Sequence, residues 1–84
     1  MYSVVFSDVA KKQFFKLPKE IQGRIVSSLE RIKIRPESYV KKLVGEIGYR
    51  LRVGDYRVII DIQRNKLLIL VIKVGHRKNI YDNI

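Results

Sequence analysis

The sequence predicts an α+β fold, an antiparallel sheet with two N-terminal helices packed on one face in the order β-α-α-β-β-β. Three observations carry this. Apolar residues between Ala10 and Ile32 recur at helical spacing. From Tyr49 onward the period drops to two. Between two alternating runs stands Gly54-Asp55, the Gly-X step of a two-residue hairpin. At 84 residues the chain reads as one domain, residues 1–84.

Each element follows in order. Tyr2 to Phe6 is apolar and β-branched enough for a short strand. Ser7 reads as a helix N-cap, with Asp8 in the first turn. Ala10, Phe14 and Leu17 make one stripe, which Phe15 widens. Pro18 ends this helix and fits the first position of the next. There Ile21, Ile25, Leu29 and Ile32 form the apolar face, and Ile34-Arg35-Pro36 stops the helix. Glu37 to Gly48 is an irregular connector. Tyr49, Leu51 and Val53 alternate with Arg50 and Arg52. Past the turn, Tyr56, Val58, Ile60 and Ile62 alternate with Arg57, Ile59, Asp61 and Gln63. Arg64-Asn65 is a second turn, and Leu67 to Val74 reads as a strand buried on both faces. If both turns hold two residues, Leu67, Ile69 and Val71 face the helices. Leu68, Leu70, Ile72 and Val74 then face the other side.

Composition narrows the chemistry. Eighteen Lys and Arg against eight Asp and Glu give a net charge of +10, which points to a polyanionic or acidic partner. The absence of cysteine excludes disulfides and thiolate chemistry and fits a cytoplasmic location. One histidine, His76, excludes multi-histidine metal sites, so no metal is expected. The glycines at 45, 48, 54 and 75 form no phosphate-loop or dinucleotide fingerprint, so no cofactor is expected either. The longest apolar run, Leu67 to Ile72, is far below the roughly 20 residues of a membrane span, and no membrane partner is expected. With Asp8 and no basic-then-apolar stretch near the start, no signal peptide is expected.

The hairpin holds the sharpest feature. A two-residue loop pairs Val53 with Tyr56 and Arg52 with Arg57. Arg50 shares their face, because side chains alternate with period two. Like charges opposed across strands destabilise a sheet by a few tenths to ~1 kcal/mol. Such conflicts gather at functional sites, and a phosphate over this face would resolve this one. A solvated face is the plain alternative. Removal of Arg57 is expected to leave stability equal or higher, and Asp61 is expected to pair with the arginines. Base-stacking aromatics are not evident on that face. A second cluster, His76-Arg77-Lys78 with Tyr81, follows the last strand. Histidine and tyrosine can both transfer protons or stack on a base. A basic tail is the plain alternative here.

Gly48-Tyr49-Arg50-Leu51-Arg52-Val53-Gly54-Asp55-Tyr56-Arg57-Val58, followed by Val74-Gly75-His76-Arg77 and Tyr81, resembles the RelE/ParE superfamily of toxins. The likeness is closer to the RelE branch and covers nearly the whole chain, including Lys42-Leu43-Val44-Gly45. It implies a RelE-like fold and a ribosome-dependent endoribonuclease, an mRNA interferase, cutting mRNA in the ribosomal A site. The implied chemistry is attack of a 2′-hydroxyl on the adjacent phosphodiester. The implied partners are the ribosome, mRNA and a cognate RelB-like antitoxin.

Carried over by position, the resemblance marks Arg50, Arg52, Arg57, Arg77 and Tyr81 as catalytic, with His76 beside them. Relatives have lysines where this chain has Arg50 and Arg52. Arginine effectively never gives up its proton. The base is then His76 or Tyr81, or the site works by orientation and charge alone. A ParE-type gyrase inhibitor and a non-catalytic RNA-binding module are the competing readings.

Overall fold

The computed structural model describes residues 1–45 and 48–80. Ser7 ends the first strand, β1 (Ser3–Phe6), and caps the first helix, α1 (Asp8–Phe15). Its Oγ accepts the Ala10 N–H at 3.0 Å, satisfying one orphan donor of the first turn. The hydroxyl donates to the Ile72 carbonyl at 3.0 Å, which ties the start of α1 to the last strand. Pro18 caps the second helix, α2 (Lys19–Ile32), and the Gln22 side-chain amide donates to the Leu17 carbonyl at 2.9 Å across the turn.

After a 3₁₀ turn at Pro36–Ser38 come β2 (Lys41–Lys42), β3 (Tyr49–Val53) and β4 (Tyr56–Gln63). A second 3₁₀ turn, Arg64–Lys66, leads to β5 (Leu68–His76). The five strands lie in the order β1-β5-β4-β3-β2. The α+β class and the predicted element order hold, with two additions. β2 extends the sheet by two residues beside β3, and β1 pairs with β5 in parallel, so the sheet is mixed.

Both helices bury their stripes on one face. Ala10, Phe14, Ile25, Leu29 and Ile32 meet Leu51, Val53, Val58, Ile60, Ile62, Ile69, Val71 and Val74. Phe15 is outside this core, 65% exposed. Among the described residues no helix covers the opposite face. There Ile59 is buried between Arg50 and Lys73, its partners in register, whose long stems shield it from water.

The second turn departs from the two-residue expectation. It takes a 3₁₀ form, and Leu67 closes it with φ +50°, exposed rather than under the helices. Ile69 and Val71 do face the helices. Val74 does not lie on the opposite side. Ile59 pairs with Lys73 but Ile60 pairs with Val71, so Ile72 is an extra residue in a β-bulge. The bulge inverts the alternation beyond it and turns Val74 into the core, 2% exposed.

Candidate nucleic-acid interface

Gly54 has φ +58°, and Asp55 is not among the described residues with positive φ. That is a type II′ turn, whose twist suits a tight hairpin. It fixes the register Val53 with Tyr56 and Arg52 with Arg57, as the sequence implies. Arg50 pairs with Ile59 on one side and Lys41 on the other. Partners across strands share a face, so Lys41, Arg50, Arg52 and Arg57 stand together on the uncovered side. Tyr39 joins them, and these five side chains line a groove of about 170 Å³.

Among the described residues no carboxylate lines this groove. Asp61 stays apart from the arginines and accepts a hydrogen bond from Gln63 at 3.2 Å. Among the described residues, Lys41, Arg50 and Arg52 have no ion-pair partner. Four cations with no counter-charge among the described residues form a site for an anion.

Arg57 is more than a surface charge. Its Nη1 donates to the carbonyls of Gly54 and Tyr56, both at 2.9 Å, and the residue is half-buried. The guanidinium clamps the hairpin turn and presents its remaining donors to the groove. Arg77 approaches the same turn. Its N–H donates to the Asp55 carbonyl at 2.9 Å, and its guanidinium Nε is 4.0 Å from the Asp55 carboxylate. Both side chains are exposed, so the ion pair contributes little. The backbone bond is what fixes the loop. Beyond it Ile80 folds onto Gly75, where an added Cβ would come within 3.3 Å of the Ile80 Cδ1. Gly75 pairs with Arg57, so Ile80 lies over that rung of the open face.

His76 is not brought to the arginines. It pairs with Tyr56, the partner of Val53, and therefore belongs to the helix-side row. Its ring meets Tyr56 edge to face at 5.3 Å, and Nδ1 accepts the Lys78 N–H at 3.2 Å. The bulge at Ile72 is the cause, since unbroken alternation would put residue 76 on the arginine side. Tyr81 lies outside the described residues.

Two lining residues, Tyr39 and Lys41, are absent from the sequence-derived site. Tyr39 follows the turn that Pro36 starts, and its N–H donates to the Pro36 carbonyl at 3.1 Å. The connector has no periodicity that would assign them a face. The one signal was an aromatic residue beside a lysine pair in a basic chain. Among the described residues no His, Asp and Glu side chains gather as a metal-ligand set, and no helix is long and apolar enough to cross a membrane.

A family model described as the ParE toxin of type II toxin–antitoxin systems matches residues 4–81. The fold is similar to the RelBE2 toxin–antitoxin complex from Mycobacterium tuberculosis, with TM-score 0.83, 26% identity and coverage of 90% of this chain and 98% of the other. It is similar to the intact Escherichia coli RelBE complex, with TM-score 0.77, 27% identity and coverage of 90% and 96%. It also resembles the RelB–RelE complex from Methanococcus jannaschii, with TM-score 0.74, 29% identity and coverage of 95% and 98%. No curated protein sequence matches. With the family pattern running through both helices and the arginine hairpin, the chain belongs to the RelE/ParE superfamily of type II toxin–antitoxin toxins.

Proposed function

We propose that this toxin is a RelE-type endoribonuclease that cleaves mRNA in the ribosomal A site and is neutralised by a RelB-like antitoxin. One observation supports it above the others: the groove of Tyr39, Lys41, Arg50, Arg52 and Arg57, with no carboxylate among its described lining residues. A guanidinium fork matches the non-bridging oxygens of a phosphodiester. The 2′-oxygen attacks the adjacent phosphorus and the P–O5′ bond breaks. The products are a 2′,3′-cyclic phosphate and a 5′-hydroxyl. The 2′-hydroxyl loses its proton and the leaving 5′-oxygen gains one. Arg50, Arg52 and Arg57 hold the phosphate and stabilise the charge that grows in the phosphorane. They do not move protons. Lys41 and Tyr39 are the groove side chains capable of that, and Tyr39 also offers a ring for a base to stack on. Arg77 and Tyr81 complete the set implied by the family resemblance.

Gyrase inhibition is the second reading, because the matching family model is that of ParE toxins. Induced expression with mapping of transcript 5′ ends separates the two. Codon-phased cuts that vanish in Arg52→Ala support the nuclease. Intact transcripts with stalled replication support gyrase inhibition and overturn it.

A further inference from the structure

A second basic cleft opens on the other side of β3. β2 pairs with β3 only as far as Arg50, so no described strand pairs with the outer edge at Arg52 and Val53. α2 runs past this edge, and the cleft between them measures about 540 Å³. Glu20, Arg24, Ser27 and Arg31 line it at i, i+4, i+7 and i+11, one polar stripe of the helix. Ser28 adds a second hydroxyl, and Arg52 closes the cleft from the sheet.

Its charges are held apart from counter-ions. Arg24 and Glu20 have the spacing of a helical ion pair, yet no such pair forms among the described residues. The Arg24 guanidinium instead rests on the hairpin turn, where a Cβ on Gly54 would be 3.1 Å from both terminal nitrogens. Arg31 and Arg52 likewise have no ion-pair partner among the described residues. Among the described lining residues, two helix arginines with Arg52 at the rim stand against one carboxylate, which leaves a net positive cleft with two hydroxyls as neutral donors. This is the donor mixture that tracks a nucleic-acid backbone.

Arg52 lines both this cleft and the groove. We propose that the α2–β3 cleft is a second phosphate-binding site for RNA, joined to the groove through Arg52, so that a strand bends over the edge of β3. The identity of the ligand as RNA rests on the nuclease reading. The strand is either the continuing message or ribosomal RNA, which present the same backbone chemistry.

The test compares wild type with the double variant Arg24→Gln/Arg31→Gln. Ser27→Asp serves as an independent variant that places a carboxylate in the cleft without touching the core. Affinity is measured for 2′-O-methyl RNAs of 3 and 12 nucleotides, which cannot be cleaved, and for message-free ribosomes. Loss of two phosphate contacts should weaken binding of the 12-mer by about 10–30-fold near 0.1 M salt and lower its salt slope by about 1.4. With the 3-mer unchanged, that result assigns the cleft to the message. An unchanged 12-mer with a similar loss of ribosome affinity assigns it to ribosomal RNA. If none of these affinities changes, if both oligonucleotides weaken equally, or if wild type binds neither RNA nor ribosomes, the proposal is overturned. Failure of the nuclease reading is distinct: transcripts stay uncut by wild type while the length-dependent loss persists.

Discussion

Arg57 illustrates how one side chain serves fold and site together. Alternation alone casts it as a repelled surface charge whose removal relieves strain. The structure instead has one of its nitrogens bonded to two turn carbonyls at 2.9 Å. Each such bond contributes roughly 0.5–1.5 kcal/mol, while relief of the Arg52 repulsion is at most ~1 kcal/mol. Arg57→Ala is therefore expected to lower stability by about 1 kcal/mol, read as a lower urea midpoint, and to abolish cleavage. A raised midpoint would mean that repulsion outweighs the clamp. Tyr39 makes a separate prediction. It is 49% exposed and carries no core packing, so Tyr39→Ala should leave the midpoint unchanged. Base stacking is worth roughly 1–3 kcal/mol, so RNA affinity should fall by about 5–100-fold, with Tyr39→Phe close to wild type. If Phe is as poor as Ala, the hydroxyl matters and the ring does not. At this scale the sequence exposed the arginines, because a two-residue turn dictates which side chains meet. It hid Tyr39 and Lys41, which both stand in the aperiodic connector.

At the scale of elements, the bulge at Ile72 decides what the sheet presents. Leu67 to Ile72 is apolar throughout, so alternation cannot be read there; Lys73, which unbroken alternation would place under the helices, is the one residue that betrays the shift. The strand was legible in sequence, and its alternation was not. The bulge has a local cause and a local remedy. β1 ends opposite Val71, leaving the outer edge of β5 without a strand partner beyond it. Ser7 takes the Ile72 carbonyl, and the Gln13 side-chain oxygen accepts the Val74 N–H at 2.9 Å. Gln13→Leu strands that donor beside a buried residue and should cost about 1–3 kcal/mol. Hydrogen exchange should show faster loss of protection at Val74 than at Ile69, and equal acceleration at both would mean that the whole sheet loosens instead. The hairpin depends likewise on Gly54, whose φ of +58° costs a residue with a Cβ roughly 1–2 kcal/mol.

Over the whole molecule, the uncovered sheet face divides into two zones. Lys41, Arg50, Arg52 and Arg57 occupy the β2–β4 side. On the β5 side Leu68 and Leu70 are half-buried, and Leu70 pairs with Val5, which is 48% exposed. A net charge of +10 repels itself across this small surface, and the apolar row adjoins it. A protein partner that answers both zones needs acidic residues for the first and apolar anchors for the second. A mostly disordered antitoxin segment that orders on binding has that chemistry, and its carboxylates would keep RNA out of the groove. Exposed charge pairs are screened by salt, whereas apolar burial is not. Affinity for a cognate RelB-like antitoxin should therefore fall as salt rises and then level off, with measurable binding in 1 M salt. Arg50→Gln/Arg52→Gln should flatten the salt dependence. Leu70→Ser should remove the salt-resistant part and leave the slope. Calorimetric titration over a salt series separates the two effects, and absence of binding at low salt would exclude the face as the docking surface.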